Sequence, residues 1–148
     1  SYNDIHQIFQ TPDHVVIFTE QNNNAPRIVP LDGRPTMSEQ IRQYPGDSRG
    51  HWDGDTLVIE SSHFNDQSAW QGSGRDLTVV ERFTRVADDR IHYEFTVDDP
   101  ATWDQPWSAE IPMTTTGGPM YEYACHEGNY DIRHILEVAR NLEKAAGR

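Results

Sequence analysis

The middle of the chain alternates apolar and polar residues along two runs separated by a short turn. The runs cover residues 77–86 and 90–97, and the turn is formed by residues 87–89. Successive side chains of a strand point to opposite faces, so this period of two predicts an antiparallel β-hairpin with one buried face. That face carries Leu77, Val79, Glu81, Phe83, Ile91, Tyr93, Phe95 and Val97.

Shorter runs of the same type lie on both sides of this hairpin. They predict strands at 5–10, 14–20, 27–30, 56–61, 107–114 and 120–125, mostly joined by tight turns. The segments 31–50 and 62–76 are predicted as long loops, the first with one helical turn at 38–44. Long connections of this kind are typical of a rim, a lid or a binding loop.

Near the C-terminus the spacing of apolar residues changes from two to three and four. This pattern predicts an amphipathic helix at 131–145, with Asn129 as its N-cap and Gly147 just past its end. The apolar stripe consists of Ile132, Ile135, Leu136, Ala139 and Leu142.

Together these elements predict an all-β, mainly antiparallel fold in a single domain, 1–148. Strands that follow one another through tight turns favour an up-and-down, lipocalin-like barrel of about eight strands with one C-terminal helix. A two-sheet β-sandwich is the alternative. The apolar fraction is only 35%, but 4 Trp, 6 Tyr and 5 Phe supply enough large side chains for a packed interior.

The charge of the chain limits its partners. Acidic residues number 24 against 12 basic ones, for a net charge of −12. Such a surface repels phosphate backbones and anionic lipids, so we expect no nucleic-acid partner and no membrane partner. No apolar run approaches the length of a membrane span. The expected partner is a small-molecule ligand or substrate.

Glu81 is the polar exception on the apolar face of the central hairpin, between Val79 and Phe83. An unpaired buried carboxylate is costly, so it must be paired, hydrogen-bonded or protonated. If Glu81 faces a barrel cavity, it is a candidate catalytic acid or base with a raised pKa. The alternative is structural: Glu81 pairs with an arginine such as Arg49 or Arg82, or a bulge turns it to solvent.

The segment 121–130 (YEYACHEGNY) holds the densest group of polar side chains. On a strand, Glu122 and His126 share one face, while Tyr121 and Tyr123 share the other. Glu122 and His126 can therefore stand together over a cavity, where a histidine suits proton transfer near neutral pH. The alternative is a histidine at a strand end that helps to fasten the start of the helix.

These observations define the candidate site. In it, carboxylates and His126 carry protons, a tyrosine donates a hydrogen bond and an arginine orients an anionic group. The predicted catalytic residues are Glu81, His126, Tyr123 and Glu122, and the predicted substrate-binding residues are Arg49, Arg82, Trp52 and Tyr121. The tryptophans can form a stacking platform for a ligand, or they can plug the core.

No metal site and no cofactor are predicted. The seven histidines form neither an H-x-H nor an HExxH pattern, although His51, His63 and His126 can still converge with a carboxylate in a barrel. The chain has no G-x-S-x-G motif, no phosphate loop and no dinucleotide fingerprint. Cys125 is the only cysteine, which excludes CxxC-type sites.

Several longer motifs are distinctive: 28–35 (IVPLDGRP), 46–52 (GDSRGHW), 54–58 (GDTLV), 81–86 (ERFTRV), 92–100 and 122–130. Together they resemble a family of uncharacterised bacterial proteins, common among acidobacteria and other environmental bacteria. The resemblance implies an exported protein, periplasmic or extracellular, with a single β domain. It also implies a leader and an upstream segment whose cysteine pairs with Cys125. The resemblance does not indicate any particular activity. The chain begins at Ser1, and we expect a processed or trimmed chain.

Three functions fit this picture. The first is a cofactor-free acid/base enzyme, a hydrolase, lyase or isomerase, acting on a small molecule in a barrel cavity. The second is a non-catalytic barrel that binds a small ligand. The third is a structural or accessory domain of an exported protein.

Overall fold

The computed structural model describes residues 5–20, 26–67, 71–121 and 130–147. In chain order the elements are β1 (His6–Gln10), β2 (His14–Thr19), β3 (Arg27–Pro30), β4 (Asp47–Asp53), β5 (Thr56–Ser62), β6 (Thr78–Ala87), β7 (Arg90–Asp98), β8 (Trp107–Thr114) and α1 (Asp131–Ala145). The protein is mostly antiparallel β-structure with one C-terminal helix, as the sequence predicts.

The strands form two sheets, and within each sheet every strand pairs with its neighbour along the chain. One sheet has the order β1-β2-β3 and the other the order β4-β5-β6-β7-β8. Within the described ranges the strands form no closed barrel, because β3 and β4 follow one another but belong to different sheets. The barrel prediction is corrected on this point, and the arrangement is compatible with the two-sheet alternative. Alternation alone cannot tell the two apart, since both folds bury every second side chain of a strand.

The hydrophobic core lies between the two sheets. Val15 and Val29 contribute to it from the three-stranded sheet, and Leu57, Ile59 and Phe83 from the five-stranded sheet. We call the core-facing side of each sheet its inner face and the opposite side its outer face. Each β-branched or aromatic side chain here fits a pleated, buried surface, so one face of every long strand is fixed by burial.

The strand β4 is missed by the sequence analysis, which assigned its residues to a loop and a turn. Its sequence, DSRGHWD, is polar and shows no alternation, yet it pairs with β5 along its whole length. Side-chain contacts anchor its start: Asp47 Oδ2 accepts a hydrogen bond from Met37 N at 2.8 Å, and Ser48 Oγ lies 2.8 Å from Ser61 Oγ. Tertiary contacts therefore form this strand without a hydrophobic pattern.

Two other local predictions differ from the structure. Residues 38–44 form turns instead of a helical turn, with one bond from Ile41 N to Ser38 O. Of the predicted strand 120–125, Met120 and Tyr121 lie outside any strand, and the other four residues are outside the described ranges.

The helix α1 has the predicted bounds, but it packs differently from a core helix. Its N-cap position is Tyr130, which makes no side-chain capping bond, and the predicted cap Asn129 lies outside the described residues. None of its residues is buried. The apolar stripe of α1 therefore faces solvent. No helix in the described part of the chain is long and apolar enough to cross a membrane.

Candidate functional site

Glu81 lies on β6 with its side chain on the inner face of the five-stranded sheet. The register places it between Ile59 on β5 and Phe95 on β7, and only 6% of the residue is exposed. No bulge turns it outward, because the register shift in this hairpin lies further along, between Arg85 and Ala87. The sequence pattern thus places this carboxylate on the correct face.

The partner of Glu81 is Arg27, on β3 of the other sheet. Arg27 Nη1 donates to Glu81 Oε2 at 2.5 Å, and Arg27 Nη2 donates to Oε1 at 3.0 Å. The hydroxyl of Tyr93, on β7, donates to the same Oε1 at 2.9 Å. Arg49 and Arg82 were the partners expected from the sequence, but the structure pairs Glu81 with Arg27. A two-point pair of this type fixes both position and orientation of the carboxylate.

Tyr93 is held in its protonated form. Burial raises the pKa of its hydroxyl first, and the negative charge of Glu81 and the hydrogen bond to it raise the pKa further. Tyr93 thus acts as a hydrogen-bond donor to Glu81. Together Arg27, Glu81 and Tyr93 form a polar cluster that ties the two sheets together inside an otherwise apolar layer.

The predicted substrate-binding residues do not gather around Glu81. Arg82 follows Glu81 and points to the outer face, where it donates to Asp53 Oδ2 at 2.9 Å. Arg49 pairs with Asp47 and donates two hydrogen bonds to Pro35 O, so it secures the loop before β4.

The two predicted aromatic contacts are solvent-facing. Trp52, at the end of β4, is 46% exposed, and Tyr121 is 70% exposed. The remaining predicted catalytic residues, Glu122, Tyr123 and His126, lie outside the described residues, as does Cys125.

Of the histidines considered for a metal, His126 lies outside the described residues, and His51 and His63 do not belong to one ligand group. His51 is exposed on the outer face of β4, where it lies opposite Val58. His63 is buried after β5, with φ = +58°, and its Nδ1 lies 2.7 Å from Ser62 Oγ. Its Nε2 lies 3.4 Å from Glu39 Oε1. His63 therefore belongs to the contacts of the loop before β4, and it does not meet His51.

A group that the sequence analysis missed lies on the outer face of the five-stranded sheet. His92 and Glu94 are two residues apart on β7, and Glu110 on β8 lies directly opposite Glu94. One ligand atom from each of the three side chains can be chosen so that all lie within 4.8 Å of one another. His92 Nε2 is 3.1 Å from Glu110 Oε2. The spacing H-x-E on a strand was its only sequence signal.

Arg82 and Arg90 lie beside this group, but among the described residues neither forms a salt bridge to its two carboxylates. Two carboxylates directly opposite on neighbouring strands repel each other. Arg82 is the cross-strand neighbour of Glu94 on β6, but its guanidinium bonds to Asp53 instead. Within the described ranges the carboxylate of Glu94 makes no hydrogen bond or ion pair, although its backbone pairs with both neighbouring strands. A cation placed between the two carboxylates relieves this repulsion.

Two shallow depressions flank the group, with Glu110 in the lining of both. One, of about 280 Å³, includes His92 and Pro112, and the other, of about 290 Å³, includes Glu94, Thr96 and Ser108. Both volumes lie just below those of ordinary small-ligand pockets, and both depressions are open to solvent. The hydroxyls of Thr96 and Ser108 add polar groups beside the three ligand candidates.

Comparison with protein-family models, with curated proteins and with solved structures finds no match to this chain.

Proposed function

We propose that this protein is a non-catalytic binding domain that holds a divalent transition-metal ion on the outer face of its five-stranded sheet. The observation that carries the proposal is the convergence of His92, Glu94 and Glu110. One imidazole and two carboxylates are ligand types that zinc and related ions accept. The sequence suggested a ligand inside a barrel. Because the described strands form two separate sheets, we place the ligand on an outer sheet face instead.

The geometry of the group suits an open site. Zinc binds imidazole nitrogen and carboxylate oxygen at about 2.0–2.2 Å, so ligand atoms within 4.8 Å need only small side-chain rotations to converge. His92 and Glu110 have enough exposed side chain for this, 41% and 73%. Three protein ligands leave a fourth position for water or for a small anionic molecule bound through the metal. The flanking depressions give such a molecule room.

The state of Glu81 favours binding over acid/base catalysis. A catalytic acid or base must exchange a proton with a substrate, and Arg27 and Tyr93 occupy both oxygens of this carboxylate with donors. Without Glu81, the enzyme hypothesis relies on His126, Glu122 and Tyr123, which lie outside the described residues. The third hypothesis, a structural domain, predicts no ligand at all.

The exported location is part of the proposal and rests on the family resemblance. A periplasmic or extracellular protein meets metal ions and small molecules outside the cytoplasm. Fractionation of cells that express the full gene, followed by immunoblotting, tests it. The protein is expected in the periplasmic or the culture fraction, and recovery in the cytoplasm alone would contradict it.

Titration calorimetry with Zn²⁺ tests the binding function, after dialysis of the purified protein against a chelator. We expect one site per chain with a micromolar Kd, and at least about a tenfold loss of affinity in His92→Ala and Glu110→Gln. His51→Ala is the matched control, because it removes an exposed histidine from the same sheet face and should leave the affinity unchanged.

The variant Glu94→Gln distinguishes the effect of metal binding on stability from the effect of repulsion between the two carboxylates. Without metal it should be more stable than the parent by about 0.3–0.5 kcal/mol, because the repulsion from Glu110 is gone. With saturating Zn²⁺ the parent should become the more stable protein, since binding to the native state adds stability. If Zn²⁺ binds the parent and His92→Ala equally well, or binds neither, the proposal is wrong.

A further inference from the structure

We propose that helix α1 of one copy covers the outer face of the three-stranded sheet of a second copy, so that the protein is a reciprocal dimer. This inference is independent of the metal site, which lies on the other sheet. It rests on two apolar surfaces of the same chain that both face solvent, and on the distribution of charge around them.

The first surface is the stripe of α1. Exposed fractions along it are 75% for Ile132, 66% for Ile135, 49% for Leu136 and 67% for Leu142. A helix of 15 residues is marginal in water by its own hydrogen bonds, and most helices gain their stability by packing an apolar face. This helix buries none of its residues against its own chain. A partner surface is therefore needed.

The second surface is the outer face of the sheet β1-β2-β3. The register places Phe9, Val16 and Ile28 in one row across the three strands, with Phe18 beside Val16 on β2. Phe9 is 49% exposed and Ile28 is 58% exposed. Val16 and Phe18 between them are half-buried, so the four side chains form one partly exposed apolar patch, and such patches mark interaction surfaces.

Charge distinguishes these two surfaces from the rest of the molecule. The outer face of the small sheet presents Gln7, Phe9, His14, Val16, Phe18, Ile28 and Pro30, with no Asp, Glu, Lys or Arg among them. Within α1 three acidic and three basic residues balance, so the net charge of −12 lies outside the helix. Two acidic bodies repel each other, but a neutral helix can approach an uncharged sheet face without that cost.

The dimensions of the two surfaces match. A helix of this length extends about 22 Å, and three strands span about 10 Å between their axes, so one helix lies across one sheet face. A reciprocal exchange makes two such contacts. It doubles the buried area towards the roughly 1,200–2,000 Å² of stable interfaces and closes under a two-fold axis.

Sedimentation velocity on the full chain tests the inference. The parent at about 100 µM should sediment with twice the monomer mass of 17.0 kDa. Ile135→Asp on the helix and Ile28→Asp on the sheet should each weaken association by at least about tenfold. Asn141→Asp is the matched control, since it adds the same charge to the opposite side of α1 and should stay dimeric.

Cross-linking between separate chains identifies the contact. In a Cys125→Ser background, a Gln7→Cys chain is mixed with a Val138→Cys chain and treated with a short bismaleimide. The expected product is the heterodimer, and each variant alone should give far less. If Ile28→Asp unfolds by circular dichroism, Phe9→Ser replaces it.

Three results would overturn the inference. The first is a monomeric parent at about 100 µM, and the second is a dimer that survives both aspartate substitutions. The third concerns a double variant with Gln7→Cys and Val138→Cys in one chain: a cross-link that forms only within that chain. The last result would show that the helix covers the sheet of its own chain.

Discussion

The guanidinium of Arg27 and the carboxylate of Glu81 join the two sheets through two hydrogen bonds, at 2.5 and 3.0 Å. The two residues are 54 positions apart in the chain, and their side chains connect β3 of the small sheet to β6 of the large one. The side chain of Glu81 is 8% exposed, while that of Arg27 is 27% exposed. Loss of Arg27 leaves the buried carboxylate of Glu81 without its counter-charge.

Replacing Arg27 alone should therefore lower the free energy of unfolding more than replacing both Arg27 and Glu81. We expect Arg27→Ala to lower the free energy of unfolding by about 2–4 kcal/mol, because Glu81 is left buried without its counter-charge. The double variant Arg27→Met, Glu81→Leu should recover most of that loss, since apolar residues of similar size fill the space. Urea denaturation measures both. A double variant as unstable as Arg27→Ala would show that lost packing, and not stranded charge, causes the effect.

Tyr93 should make stability depend on alkaline pH. Its pKa is raised above the ordinary value of 10.0, first by burial and then by Glu81. The stabilisation is thus fully present below pH 10, and it is lost as pH rises above that value towards the pKa in the folded state. Tyr93→Phe should cost about 1 kcal/mol at pH 7 and flatten the alkaline fall.

The check is a thermal melt at several pH values, together with phenolate absorbance. The folded parent and Tyr93→Phe should ionise the same number of tyrosines, because Tyr93 does not titrate before unfolding. Tyr121→Phe changes an exposed tyrosine that lies away from Glu81 and is the control for the substitution itself. If Tyr93→Phe ionises one tyrosine fewer than the parent before unfolding, Tyr93 is accessible to hydroxide.

Asp99 should produce the opposite dependence on the acid side. Burial raises the pKa of this carboxyl, but hydrogen bonds from Gly74 N, Ala101 N and Thr102 Oγ1 more than offset that, and the pKa is lower than 3.8. The stabilisation is present above pH 3.8 and is lost as pH falls towards the folded pKa. Asp99→Asn should cost about 2 kcal/mol near pH 7 and reduce the acid sensitivity. Asp98→Asn, with no such bonds, is the control, and equal losses in both would refute this role.

Gly50 should resist any side chain, because the loop and the small sheet approach β4 closely there. A Cβ at this position would lie 2.7 Å from Leu31 Cδ2 and 2.9 Å from Val29 Cγ1. Gly50→Ala should therefore destabilise the protein by about 1–3 kcal/mol through overpacking. Gly74→Ala is the control, since no atom lies within 4 Å of its Cβ position. Chemical denaturation of the two variants should separate them clearly, and equal stabilities would contradict the close contact.

Much of the secondary structure follows from local pattern. The hairpin β6–β7, the strand β8 and the helix α1 have the predicted positions because alternation or helical spacing is strong over eight or more residues. The strand β4 was missed because its residues are polar and it is held by pairing with β5 and by Asp47 and Ser48. Local pattern contains no information about such distant contacts.

In the candidate site too, local pattern predicted some features and distant contacts decided the others. Alternation correctly assigned Glu81 to the inner face, but the choice of Arg27 as its partner depends on how the small sheet lies over the large one. The group of His92, Glu94 and Glu110 depends on the register of β7 and β8, which places Glu110 opposite Glu94. A shift of one residue would turn Glu110 to the inner face and remove the group.

The sequence by itself determined the class of elements, the inward side of each long strand, the amphipathic helix and the acidic surface. These properties follow from side-chain period and composition, which are local or additive along the chain. Only the tertiary structure decided that the described strands form two sheets, that Arg27 meets Glu81, and that the stripe of α1 faces solvent. Each of these depends on contacts between residues far apart in sequence, and many pairings of the same strands satisfy the same pattern of burial.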